Sequence, residues 1–234
     1  MACELSIVAP TFNEVDNIEP LVERLVAALP GVSWEILFVD DDSPDGTADR
    51  VQQVGQRLPN VRCLKRVGRR GLASACIEGF AATSGPLIAV MDADLQHDEA
   101  LLADMLKILR AGDVELVVAS RYAPGAGLGE HSAFRRLISR GGNLAARTIL
   151  GVPLSDPMSG FFMLRRDLLA RSSLGRISGG GFKILLDLVA STRPPAKLSE
   201  LPFTFRPRHA GVSKFNAAIG WEFLRAMLRQ RLRG

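Results

Sequence analysis

Five short apolar runs, each closed by a turn and most followed by a segment of helical period, restrict this 234-residue chain more than any other feature. The first run, LSIVAP (Leu5–Pro10), precedes a stretch in which Ile18, Leu21, Val22, Leu25, Val26 and Leu29 recur at helical spacing, with acids near its start. WEILFV then runs into Asp40-Asp41-Asp42, and Ser43-Pro44-Asp45-Gly46 is turn chemistry ahead of a second helix. Val61–Leu64, Leu87–Met91 and Val114–Ala119 read as further strands, with helices over Gly71–Phe80 and Glu99–Leu109 between them. Strands alternating with helices predict an α/β fold, a parallel sheet covered on both faces. Such sheets take ligands beyond the carboxyl ends of their strands. The ends here are Pro10-Thr11-Phe12-Asn13-Glu14, Asp40-Asp41-Asp42 and Asp92-Ala93-Asp94, so the polar residues of interest gather on one edge.

After Ala119 the pattern changes. SRYAPGAGLGEHS is a glycine-rich loop, and AFRRLISRGGNLAARTILG is helical in parts with a break at Gly141-Gly142. LSDPMSGFFMLRRDLL reads as loop, strand and helix, and GGGFKILLDLVAST as a turn and a helix. LSELPFTFRPRHAGVSKFN is a strand followed by a basic loop, and AAIGWEFLRAMLRQRLRG is a basic amphipathic helix. The length suits one domain with a small appendage, and 47% hydrophobic residues suffice for a core. No apolar run approaches the ~18–20 residues of a membrane span, and Met1–Pro10 lacks the basic start of a signal peptide. Cys3, Cys63 and Cys76 are odd in number and have no CxxC spacing, which favours reduced thiols in a cytoplasmic protein over a disulfide frame or a zinc site. The net charge of +4 is uneven: from Leu201 onward seven Arg or Lys residues face one acid, and Arg135, Arg136, Arg140 and Arg147 lie in a stretch without acids. Localised basicity of this kind suits phosphate or an anionic membrane surface. Nucleic acid is disfavoured because no aromatic stacking platform accompanies the basic tail.

The segment PLIAVMDADLQHD ends a hydrophobic strand in Asp92, Asp94 and Asp98. Carboxylates so placed repel one another unless water or a cation lies among them. Asp92 and Asp94, separated by the small Ala93, can both turn toward a hard divalent ion, with Gln96 as a neutral oxygen donor. Mg²⁺ or Mn²⁺ prefers such ligands and keeps phosphate oxygens in its shell. A carboxylate of Asp40-Asp41-Asp42 can accept from a nucleobase N–H, although helix capping competes for Asp42, Ser43 and Asp45. Three such ends side by side describe a nucleotide-diphosphate site with a metal on the phosphates.

In order along the chain, IVAPTFNEVDNIEPL, VDDDSPDGT, GRRGLASACIEGF, VMDADLQHD, ASRY, RRLISRGGN and DPMSGFFMLRR resemble family 2 glycosyltransferases of the GT-A fold, and among these the dolichol- and polyprenol-phosphate mannose synthases. The resemblance implies a Rossmann-like, mixed but mostly parallel sheet with helices on both faces, a basic acceptor-side region and the C-terminal amphipathic helix. Residues 1–215 would form the catalytic domain, with a nucleotide-sugar half (1–120) and an acceptor half (121–215), and 216–234 the membrane-proximal helix. By motif, Pro10, Thr11, Asn13, Glu14, Asp41, Asp92 and Ala93 would line the nucleotide, and Asp92, Asp94 and Gln96 would hold Mg²⁺ or Mn²⁺. Arg121, Arg135 and Ser139 would gather the acceptor phosphate, and Arg208 and Lys214 would close over the donor phosphates. Asp94 stands with Arg121, Arg135 and Ser139 as the implied catalytic set. The implied partners are a nucleotide-diphosphate sugar, usually GDP-mannose, and a polyprenyl phosphate lipid. The implied place is peripheral, at the cytoplasmic membrane face, with an anchor segment or subunit as in many relatives. Phe134–Leu150 and Trp221–Leu232 are the amphipathic candidates for the lipid surface.

Three rivals compete. A family 2 enzyme acting on a sugar hydroxyl needs a general base, for which Asp156 is the candidate. A nucleotide-binding module without turnover would tolerate loss of Asp92 and Asp94, yet both are present. A phosphatase with a D-x-D nucleophile would carry the motif on its first strand, not near position 92.

Overall fold

Side chains alternate across the first strand, β1 (Leu5–Thr11): Leu5, Ile7 and Ala9 enter one apolar cluster, and Val8 enters another. The strand is therefore mostly apolar, as a strand covered on both faces is, and its buried Ser6 hydroxyl is satisfied by Glu35 Oε1 (2.8 Å). The computed structural model describes residues 3–126, 152–173 and 184–206. β1 is followed by a 3₁₀ turn (Val15–Asn17) and α1 (Ile18–Ala28), then β2 (Trp34–Asp40), α2 (Thr47–Arg57), β3 (Val61–Lys65), α3 (Leu72–Ala81), β4 (Leu87–Val90), α4 (Leu101–Ala111) and β5 (Leu116–Ser120). β6 (Phe162–Arg165), the short α5 (Asp167–Ala170), α6 (Ile184–Ser191) and β7 (Leu198–Pro202) complete the described elements.

The strands form one sheet in the order β3-β2-β1-β4-β6-β5-β7. β6 runs antiparallel to both of its neighbours, with Val90 and Val118 each in register with Phe162; all other pairings are parallel. One face packs on α1, α2 and α4 through residues such as Leu21, Leu25, Val51, Met105 and Leu109. The opposite face packs on α3 and α6 through Ala73, Cys76, Phe80, Leu185 and Leu188. The small residues of α3 let it lie almost on the sheet: a Cβ at Gly79 would come 2.4 Å from Val8 Cγ1. The sequence reading of alternating strands and helices holds, with boundaries displaced by one or two residues.

The inverted strand matters for the site. Because β6 runs backwards, its amino-terminal approach, Asp156 to Phe161, reaches the same edge as the carboxyl ends of β1, β2, β4 and β5. Among the described residues no helix is long and apolar enough to cross a membrane.

Candidate active site

Three non-glycine residues among those described adopt left-handed backbone, and each follows a different strand at this edge: Asn13 (φ 56°), Asp42 (φ 59°) and Leu95 (φ 62°). Strained turns of this kind persist where the surrounding structure holds them, and they cluster at ligand sites. The hydrogen bonds that hold these turns are specific. Asn13 N–H donates to Ser43 Oγ (2.9 Å), Glu14 N–H to Thr47 Oγ1 (3.0 Å) and Val15 N–H to Asp45 Oδ2 (3.2 Å). Asp45 Oδ1 also accepts from Thr47 N–H (3.0 Å), so Asp45 serves the start of α2. Asp40 is fully buried and accepts from both the N–H (3.0 Å) and the hydroxyl of Ser43.

Of the three consecutive aspartates, Asp42 pairs with exposed Lys65 (3.3 Å), and Asp41 lies beside the end of β1, its N–H donating to Thr11 O (3.0 Å). Asp41 Oδ1 accepts from Arg66 Nη1 (2.7 Å), and Oδ2 accepts from Gly71 N–H (2.7 Å). Burial pushes the Asp41 carboxyl above its ordinary pKa, against the pull of the Gly71 amide and Arg66. Arg66 is only 1% exposed; its guanidinium also meets Gly71 O (3.2 Å), Ser74 Oγ (2.6 Å) and Glu78 (3.2 Å). Thr11 is buried with its hydroxyl on Ala9 O (2.7 Å), Glu14 Oε2 accepts from Asn17 Nδ2 (2.5 Å), and Arg70 lies 4.2 Å over the Phe12 ring. Pro10, Thr11, Asn13, Glu14 and Asp41 are thus brought together at the ends of β1 and β2.

The next strand end carries Asp92, buried Ala93 and Asp94. Asp92 N–H donates to His97 Nδ1 (3.1 Å), which leaves the His97 proton on Nε2, 3.8 Å from Asp92 Oδ2. Burial drives the His97 pKa down to about 4, with Asp94 and Asp156 opposing and Arg121 reinforcing, so the ring is neutral near pH 7. It stacks on Phe161 (4.9 Å between centroids, 14°) and meets Phe203 and Phe205 at 5.7 and 5.6 Å. Asp94 Oδ1 accepts from Gln96 N–H (3.1 Å), and Gln96 Nε2 donates to Arg206 O (3.1 Å).

This donor set fits a hard divalent ion. It offers two carboxylates and an amide oxygen, and Gly160 keeps the space beside Asp92 clear: a Cβ there would lie 3.3 Å from Oδ2 and 3.5 Å from Oδ1. No group of three or more His, Cys, Asp or Glu side chains suited to a metal occurs among the described residues. An ion held by two carboxylates keeps coordination positions for phosphate oxygens.

On the far side of the edge, Arg121 meets Asp156 in a two-point pair: Nε to Oδ2 at 2.6 Å and Nη2 to Oδ1 at 2.7 Å, with Arg121 N–H also on Oδ2 (3.1 Å). Burial alone would lower the Arg121 pKa, but the Asp156 bonds and the fields of Asp156 and Asp92 outweigh it and raise the pKa. Asp156 is 0% exposed and both of its oxygens are engaged by Arg121. The candidate base of the hydroxyl-acceptor reading is therefore buried and held in an ion pair with Arg121. Arg135, Ser139, Arg208, Lys214 and both amphipathic candidate segments lie outside the described residues. Sequence reasoning missed the His97–Phe161–Phe203–Phe205 cluster and the buried role of Arg66; the only signal for the first was a histidine directly after Gln96.

The model for glycosyl transferase family 2 matches residues 6–172. The chain belongs to that family. Dolichol-phosphate mannosyltransferase of Pyrococcus furiosus is 37% identical over 228 residues, 97% of this chain, and its namesake from Saccharomyces cerevisiae is 35% identical over 235 residues, again 97% of this chain. The undecaprenyl-phosphate mannosyltransferase of Micrococcus luteus is 33% identical over 91% of the chain and 87% of its own length. The chain spans 63% of the Pyrococcus relative and 86% of the yeast one. Glucosyl-3-phosphoglycerate synthase of Mycobacterium tuberculosis, crystallised with Mn²⁺, UDP-glucose and phosphoglyceric acid, superposes with a TM-score of 0.74 at 20% identity, covering 98% of this family 2 chain and 80% of that one. The same enzyme with Mg²⁺ and UDP gives 0.73 at 21%, over 98% of this chain and 79% of that one. The fold is thus of GT-A type, mixed and mostly parallel.

Proposed function

We propose that the protein transfers a hexosyl group, mannose from GDP-mannose, to the phosphate of a polyprenyl lipid. The observation that carries this reading is the Arg121–Asp156 pair: where a hydroxyl acceptor would need a base, this edge presents a guanidinium whose carboxylate partner is buried. A phosphate acceptor is already ionised near pH 7 and needs no proton removed. What it needs is placement beside another anion. At ~4–6 Å and an effective dielectric of ~20, each pair of like charges costs about 3–4 kcal/mol. Arginine offsets that repulsion with charge-assisted hydrogen bonds of fixed direction. The names of the relatives from Pyrococcus, yeast and Micrococcus support the same acceptor class and the same sugar.

In this reading Asp41, Thr11 and Glu14 would wall the nucleoside, while Asp92, Asp94 and Gln96 would hold Mg²⁺ or Mn²⁺. Bound there, a divalent ion neutralises charge developing on the leaving diphosphate. His97 holds the Asp92 backbone, and Arg121 orients the attacking phosphate. Direct attack inverts the anomeric centre, so an α-linked donor gives a β-linked product. Arg135, Ser139, Arg208 and Lys214 complete the phosphate contacts on the family's pattern, and the surplus of basic residues after Leu201 suits a peripheral position at the cytoplasmic membrane face.

The test is radiolabel transfer from a panel of GDP- and UDP-sugars to polyprenyl phosphate with Mg²⁺ or Mn²⁺. GDP-mannose giving a β-linked lipid product is expected. Transfer to sugar hydroxyls with none to polyprenyl phosphate would remove the reading.

A further inference from the structure

Asp156 does not hold Arg121 unaided. The Asp156 N–H reaches Glu200 Oε1 (3.4 Å), and the preceding Ser155 gives Glu200 its N–H (2.9 Å to Oε1, 3.1 Å to Oε2) and its hydroxyl (2.9 Å). Glu200 stands on β7, in register with Val118 of β5, three residues before Arg121, which follows the last residue of that strand. Ser120 Oγ, 2.5 Å from Ser155 Oγ, accepts from the N–H groups of Tyr122 and Ala123 (3.1 Å each) and so fixes the backbone on both sides of the arginine. The guanidinium carbon lies 5.5 Å from the Phe205 ring centre and 5.8 Å from that of Tyr122. A long flexible side chain is thereby reduced to one orientation, with its Nε–Nη2 edge taken and the Nη1 donors outside that pairing.

We propose that Asp156 is a positioning residue for the anionic acceptor, setting the plane of Arg121, and that Glu200 acts on the same guanidinium through the Ser155–Asp156 backbone. This rests on the phosphate-acceptor reading above. The sign of its consequence separates it from simple electrostatics. Asp156 cancels the charge of Arg121, so Asp156→Asn makes the site more positive. A site that worked by net charge would then use a phosphate acceptor better. A site that works by orientation uses it worse, because an amide no longer takes both guanidinium nitrogens as acceptor and the side chain regains its rotamers.

The experiment compares wild type, Asp156→Asn and Glu200→Gln in steady-state transfer to polyprenyl phosphate in detergent micelles. Donor affinity is followed separately by titration with GDP and Mg²⁺, and folding by thermal midpoint. For Asp156→Asn the KM for lipid phosphate should rise about 10²-fold, the cost typical of a small misplacement. For Glu200→Gln, acting at one remove, about tenfold is expected. GDP affinity should be unchanged in both. An unchanged or lower KM in Asp156→Asn overturns the proposal. Loss of kcat at constant KM, with the acidic limb gone from the pH profile, assigns Asp156 as a base instead and also overturns it. Where Asp156→Asn does not fold, Glu200→Gln decides, since it leaves Asp156 in place; wild-type kinetics there refute the link to β7. Failure of wild type itself to use polyprenyl phosphate, with transfer to a hydroxyl acceptor, refutes the functional reading and this proposal with it.

Discussion

Replacing Arg66 by methionine tests how the ends of β2 and β3 are held together. Arg66 is 1% exposed and links Asp41 (2.7 Å) to Glu78 (3.2 Å), with Gly71 O and Ser74 Oγ as further partners. Methionine matches the aliphatic stem but removes the only cation in this cluster that is buried, and leaves two carboxylates and a carbonyl facing one another. Removing one member of a buried pair typically costs about 3–5 kcal/mol. At ~2–4 °C per kcal/mol for a chain of this size, the melting midpoint should fall by about 6–20 °C. The loss should depend on pH. Asp41 already has a raised folded pKa, caused first by burial, so its contribution to stability is present below the unfolded-state value and is lost as pH rises through the folded one. Without Arg66 the folded pKa rises further, and the deficit relative to wild type should widen from pH 5 to pH 7. Urea unfolding at both pH values measures it. A deficit under about 1 kcal/mol, the ordinary worth of an exposed pair, or one that shrinks toward neutrality, would refute the account of Arg66 as a buried counter-ion.

Three further outcomes are expected. His97→Phe keeps the stack on Phe161 but orphans the Asp92 N–H, costing about 1–3 kcal/mol in chemical denaturation; it should also weaken Mn²⁺-dependent GDP binding, and wild-type values for both would contradict the role assigned to Nδ1. Asp94→Ala should abolish divalent-dependent transfer, whereas full wild-type turnover in EDTA would show that no metal is used. Gly79→Ala drives a methyl to 2.4 Å from Val8 Cγ1 and should destabilise by about 1–3 kcal/mol, read from the urea midpoint.

The central strands β1, β2 and β4 were legible because they are buried on both faces, which leaves runs such as Ile7–Ala9, Ile36–Val39 or Leu87–Val90 that are apolar and bounded by polar turns. Their carboxyl ends were legible for the same reason, since charge begins where burial stops. The reversal of β6 was not. Direction in a sheet is set by which neighbours a strand finds, and FMLR reads the same either way. That reversal is what carries Asp156 to Arg121, so the two appeared in the sequence as members of rival mechanisms when they form one pair. Arg66 was hidden by its neighbours: in RVGRR it looks like part of a solvated basic run, yet Arg69 and Arg70 are exposed and Arg66 is enclosed. Burial of an arginine depends on acids distant in sequence, here Asp41 and Glu78, and no local pattern reports it.

The backbone beyond β7 has a consequence for how the molecule can be divided. Arg206 N–H donates to Gln96 O (3.0 Å) while Gln96 Nε2 returns to Arg206 O, and the Arg206 guanidinium clasps Asp98 and Glu99. Phe203 and Phe205 meanwhile supply two walls around His97. The late-translated end of the described chain is therefore a structural component of the aspartate loop. A fragment stopping at Pro202 would keep every carboxylate of that loop and still present it without its clasp, so the aspartate loop is finished only after more than two hundred residues have left the ribosome.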